Sequence, residues 1–254
     1  MDAVTPAEAA APAAWNGTIP RTRFFDALSL LLPAGESFVI EALEACGTEA
    51  VECDPAAESV LACFVREERA HQRAHCLYNR ALIAATPAAA APAQRADEAV
   101  AQLQGLPLIH RVALAAAFEQ LTAVLSQEVL EHRHLLGDAR TSSPQSRLWR
   151  WHAAEELRHC HVAMQAAQRC GVGTPQRVIA LCMATAYLAM DVLRGWITLC
   201  SSDIAAGARR RAVILDTLDF MWRSLPSLAR MTLGWWRCVL LPRRAPQAAQ
   251  ESLP

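Results

Sequence analysis

The chain has 254 residues, 53% of them hydrophobic, enough to bury a sizeable core as one large domain. A net charge of −1 and a pI near 6.7 give no global basic field, so no nucleic-acid partner is expected. All 24 positive residues are Arg, and the absence of Lys excludes any mechanism built on a Schiff-base lysine.

Residues 1–18, rich in Ala, Pro and Thr, read as a disordered leader. One all-α domain is expected over 19–240, with 241–254 as a polar tail. Ile19 to Leu32 reads as an entry segment ending at Pro33-Ala-Gly35, after which Glu36 opens a helix that stops at Gly47. Asp54-Pro55 starts a long helix to about Ala85. Residues 84–98, with Pro87 and Pro92 among alanines, read as a linker. Pro107 to Leu136 is the next helix, closed by Gly137. Ser143-Pro144 and Thr174-Pro175 start two more, ending near Cys170 and Ser201. A further helix covers roughly Ala206 to Arg223 and is broken by Pro226. No strand-like alternation or internal repeat occurs.

The longest apolar run, Val178 to Leu193, is interrupted by Asp191 and is shorter than the roughly 20 residues of a spanning helix. It reads as a core helix, and membrane association is not expected. Nine Cys without a CxxC pair read as buried small hydrophobes in a reducing cytoplasm. No basic region followed by an apolar one opens the chain, so secretion is not expected.

The chemistry concentrates at Trp149-Arg-Trp-His152-Ala-Ala-Glu155-Glu156-Leu-Arg-His159. On a helix, His152, Glu156 and His159 fall within roughly 60° of one another. Glu68, His71 and His75 form a second stripe of the same kind. Glu36 and Glu119 sit in apolar helical surroundings, where a carboxylate must be neutral, paired with Arg, or a metal ligand. One Glu from each of two helices and an ExxH from each of two others make the ligand set of ferritin-like dinuclear carboxylate bundles. Four carboxylates would balance two divalent cations. His152 adds a third imidazole. His75, Tyr78 and Asn79 are candidates for further ligands or for partners of ligands. Glu67 and Glu155 read as facing solvent or pairing with Arg.

Four segments resemble a bacterial family named predicted metal-dependent hydrolase: Pro33 to Phe38, Phe64 to Asn79, Ala117 to Ala123, and Trp149 to His159. The resemblance covers roughly residues 19–200. Two departures touch the surroundings of the ligands: Glu67 stands where Gln is expected, and Arg158 where an acidic residue is expected. The ligand spacing is also similar to that of the p-aminobenzoate N-oxygenases, di-iron enzymes with the order Glu, ExxH, Glu, HxxxExxH. Glu36, Glu68, His71, Glu119, His152, Glu156 and His159 fill that order.

The expected fold is therefore a ferritin-like four-helix bundle with additional C-terminal helices. The spacing favours a non-haem di-iron oxidase or oxygenase acting on an amine or C–H bond of a small molecule, with two Fe, Mn or a mixed Fe/Mn pair. An electron-transfer partner and a homodimer fit that reading. The alternatives are a two-metal hydrolase, with Zn, as the family name implies, and a ferritin-like iron-handling protein.

Overall fold

The computed structural model describes residues 14–49, 55–136 and 143–240. Their regular structure is all helix, with no strand among them. The elements are α1 (Ile19–Glu49), α2 (Pro55–Ala85), a 3₁₀ turn (Pro87–Ala89), α3 (Ala90–Gln104), α4 (Leu108–Glu131), the short α5 (Arg133–Leu136), α6 (Pro144–Arg169), α7 (Thr174–Ala205) and α8 (Arg210–Leu240). Four of them close a ring: α1 packs on α2 and α4, and α6 packs on α4 and α2. Alanines at 113, 115, 116 and 117 of α4 and at 163 and 167 of α6 are buried, and such small side chains let two helices approach closely. Phe38, Leu43, Phe64 and Leu181 fill the space between the elements.

The expected break at Pro33 does not occur, because α1 runs through it. A proline has no N–H to give the carbonyl four residues earlier, so the Ser29 oxygen loses its helical partner. Asn79 of α2 supplies one, its Nδ2 donating to Ser29 O at 2.8 Å. Gln72 Nε2 likewise donates to Pro33 O at 3.0 Å. Asn79→Leu is expected to destabilise the protein by about 1–3 kcal/mol. In a Pro33→Ala background, where residue 33 regains its N–H, part of that loss should disappear. Denaturant titration of the four proteins checks the cycle.

Other boundaries also move. Gly47 lies inside α1 rather than ending it; a Cβ there would meet Leu61 Cδ2 at 2.8 Å, so the glycine serves close contact with α2. The expected linker at 84–98 is mostly helix. Pro92 falls in the first turn of α3, where no intrahelical N–H bond is lost. α4 ends at Glu131, with His132 extended, before α5. Gly137 and Asp54 lie outside the described residues. α8 continues through Pro226, which is exposed, so water can serve the carbonyl it frees at Trp222. Two starts are as expected. Ser143 Oγ accepts from Ser146 N at 3.0 Å, and Gly173 N–H donates to Gln176 Oε1 at 2.8 Å.

Three further expectations change. Residues 14–18 are packed rather than part of a leader, with Trp15 Nε1 donating to Asp26 and Asn16 Nδ2 to Leu135 O. The remainder of the leader and the polar tail lie outside the described residues. Cys46 and Cys170 form a disulfide between α1 and the end of α6, so the cysteines do not all act as thiols and no longer argue for a reducing compartment. α7 is not a core helix. Only 33% of its most apolar stretch is buried, because one face packs on α1 and α4 while the other is exposed.

Candidate metal centre

The four ring helices each send carboxylates or imidazoles to their common interior. α1 contributes Glu36, α2 Glu68 and His71, α4 Glu119, and α6 His152, Glu156 and His159, all of them buried. The helical spacings read in the sequence put each set on one inward stripe.

Two groups of donor atoms form around His71. In Glu68, His71, Glu156 and His159, one atom of each lies within 4.8 Å of all the others, and the same holds for Glu36, His71 and His152. His71 Nδ1 is 3.4 Å from Glu156 Oε1, and His152 Nε2 is 3.5 Å from the same oxygen. His159 Nδ1 is 3.5 Å from Glu156 Oε1 and 2.5 Å from Glu68 Oε1. Donors held about 2.0–2.2 Å from one ion stand roughly 3–3.5 Å apart, so most of these spacings suit a cation between them. Glu119 joins neither group, but it faces the same interior, where Glu156 and Glu68 act on its charge.

The hydrogen bonding fits a metal. Both Glu36 oxygens, Glu68 Oε1, Glu119 Oε2 and Glu156 Oε2 are buried without a hydrogen-bond partner, as are the Nδ1 atoms of His71, His152 and His159. Buried polar groups are almost always satisfied, and an isolated buried carboxylate costs far more than a lost hydrogen bond.

Electrostatics say the same. Burial, then the charges of Glu68, Glu156 and Glu119, push the Glu36 carboxyl well above its ordinary range. Glu119 moves the same way through burial and then Glu156 and Glu68. Glu156 is also buried, but the three histidines outweigh that and hold it well below the usual range. Burial opposes charge on His71 and His159, yet the close approach of the Glu156 and Glu68 carboxylates raises them to about 9 and about 12. Burial lowers His152 to about 4.

The structure also gives a role at the centre to two carboxylates that the helical stripes alone leave outside it. His71 Nε2–H donates to Glu155 at 2.9 Å, and His159 Nε2–H donates to Glu67 at 2.9 Å. Each carboxylate next to an inward Glu thus orients the histidine of the opposite helix, leaving its Nδ1 lone pair facing the interior. The matched Glu-Glu-x-x-His doublets were the available signal. One helix taken alone shows them only as facing solvent or pairing with Arg, and Glu67 does also meet Arg158 Nη2 at 3.5 Å. Glu155→Gln or Glu67→Gln is expected to weaken metal affinity about 10–100-fold with the fold intact. Competition with a chromogenic chelator measures it.

His75, Tyr78 and Asn79 lie outside both groups. Ser29 Oγ–H donates to Asn79 Oδ1, so the same oxygen accepts from His75 Nδ1–H at 2.8 Å. His75 is thereby held as the tautomer with a bare Nε2, and its ring meets that of His152 edge to face with centroids 5.0 Å apart. Burial, then the charges of His152 and His71, keep it well below its ordinary pKa. Tyr78 OH donates to Asp26, in a network with Trp15 and Arg23.

A cavity of about 600 Å³ runs to the cluster, with Glu36, Glu68, Glu119, His152 and Glu156 at its inner end. Phe24, Leu31, Val100, Leu188, Trp196 and Met231 are among its walls, which are almost wholly apolar.

These features define an all-helical protein with a buried carboxylate–imidazole site able to hold metal. The chain belongs to the family described as predicted metal-dependent hydrolase, whose model matches residues 5–249. No curated protein and no solved structure matches it. The family assignment favours hydrolysis over the oxygen chemistry that the ligand spacing suggested. The same donor set serves both, because metal and substrate rather than ligand type separate them.

Proposed function

We propose that the protein is a two-metal hydrolase whose substrate carries a large apolar body. The observation that carries this reading is the set of unpartnered buried carboxylates forming the inner end of an apolar cavity. Glu36, Glu68, Glu119 and Glu156 offer four negative charges to two divalent cations, and His71, His152 and His159 offer neutral nitrogens, in a bundle of the ferritin-like kind. When bound, the cations would polarise the scissile group and activate water for attack on it.

The protein's own residues do the rest. Glu67 and Glu155 keep the histidines in the donor tautomer. The apolar walls bind and orient the substrate body, and they exclude bulk water from the reacting end. His75, fixed through its Nδ1–H to Ser29 Oγ, packs edge-on against His152 and helps hold that ring in place.

The test is to load metal-free protein separately with Zn²⁺, Mn²⁺ and Fe²⁺ under argon. Each form is then assayed on carboxylic and phosphate esters of increasing alkyl length. Oxygen-independent hydrolysis that improves with chain length is expected. Substrate oxidation that requires dioxygen, with no ester cleaved by any metal form, would overturn the reading in favour of an oxidase.

A further inference from the structure

Seventeen large hydrophobic residues are more than about a third exposed among the described residues, and all but Val60 and Leu77 lie on α7 and α8. On α7 they recur as Ile179, Met183, Met190, Leu193 and Ile197, positions that share one helical face and extend over about 27 Å. On α8, Ile214, Leu218, Met221, Leu225 and Leu228 form a similar stripe, flanked by Leu215, Trp222, Leu233 and Trp236. Trp222 is 74% exposed. So many exposed hydrophobics exceed what a monomer usually shows to water, and a patch of this kind marks an interaction surface.

Charge distinguishes the occupants. Residues 174–240 hold eight Arg and four Asp, with no Glu, a net charge of +4 in a chain whose total is −1. Arg209, Arg210 and Arg211 are exposed at the start of α8, and Arg194, Arg223 and Arg237 are exposed along the pair. A second copy would set one positive face against another. An anionic lipid surface complements it, since apolar residues enter the acyl boundary while Arg and Trp meet the headgroups. The cavity adds a second argument. Leu193 of α7 and Leu228 of α8 belong both to the exposed face and to the cavity lining, so the face borders the cavity on both helices.

We propose that α7 and α8 bed the protein into the surface of an anionic bilayer, with the cavity mouth opening among the acyl chains, so that an apolar substrate enters from lipid. This reverses the expectation of no membrane association. The docking does not depend on the reaction; entry of substrate from lipid rests on the hydrolase reading.

Co-sedimentation of the full chain with vesicles tests it. Binding is expected to be stronger to phosphatidylcholine mixed with phosphatidylglycerol than to phosphatidylcholine alone, and to weaken as salt rises. The pair Leu218→Glu and Trp222→Glu should reduce partitioning about tenfold or more, since apolar burial is lost and two charges enter the interface. Both positions are exposed, so an unchanged melting temperature shows that the variant is folded. Failure to bind either vesicle would overturn the proposal. So would a stable dimer in light scattering that the same variant dissociates, which would assign the face to a second copy. Absence of docking by the unmodified chain, with soluble-ester hydrolysis retained, removes the proposal but leaves the hydrolase. Docking without hydrolysis of any ester does the reverse.

Discussion

Glu36→Gln is expected to make the metal-free protein more stable while depriving the centre of metal. Both carboxylate oxygens of Glu36 are buried without a partner, and three other carboxylates surround it. In the metal-free state at neutral pH the folded protein must therefore keep this group protonated or bear an unpaired buried charge. A neutral amide of the same shape removes that demand. The gain should be about 1–3 kcal/mol, or roughly 2–10 °C in melting temperature for a chain of this size. Metal content, measured by elemental analysis after loading, should fall in the same variant. Opposite signs in the two measurements mark a residue kept for binding at a cost to stability. A Glu36→Gln protein that is less stable without metal and retains its full metal content would show that Glu36 is structural.

The second large effect is a divergence of metal-free and metal-loaded stability with pH. In metal-free protein, Glu36 and Glu119 have folded pKa values above their unfolded ones. His71 and His159 are raised likewise, to about 9 and about 12. A raised group stabilises the fold below its unfolded pKa, and that contribution is lost as pH climbs through the folded value. His75 and His152 are lowered and act in the other direction, but their contribution is complete above about pH 6.5. Glu156 is lowered from a carboxylate range, so it too has finished titrating there. Between pH 6.5 and about 9 only the raised groups remain, and metal-free stability should decline. Cations prefer the deprotonated donors, so metal-loaded protein should hold or gain stability over the same window. Thermal melts with and without Zn²⁺ or Mn²⁺ should separate progressively as pH rises. Parallel curves would mean that the cluster does not exchange protons for metal.

Much of the site was legible because helical periodicity converts sequence spacing into direction. Glu68 and His71, or His152, Glu156 and His159, face one way on any helix that contains them. The hydrophobic neighbours of Glu36 and Glu119 announced burial in the same fashion. Contacts between helices were not legible. Glu67 and Glu155 show in the sequence only as facing solvent or pairing with Arg, because the imidazoles they orient belong to each other's helix. Pro33 looks like an ending in the sequence because its remedy, the Asn79 amide, lies 46 residues away on α2. Cys46 and Cys170 gave no sign of pairing because 124 residues separate them.

The sequence by itself determined that the chain is all-helical and that four of its helices carry inward carboxylates and imidazoles, since both follow from a repeat of 3.6 residues and from capping chemistry. Tertiary structure alone decided which donors share a centre, which carboxylates hold the histidines, and which face of α7 meets α1 and which is left exposed. Amphipathic patterning tells a helix that it must bury a stripe, but an apolar residue has the same identity whether it covers a neighbouring helix or nothing. That distinction exists only once the helices have been placed.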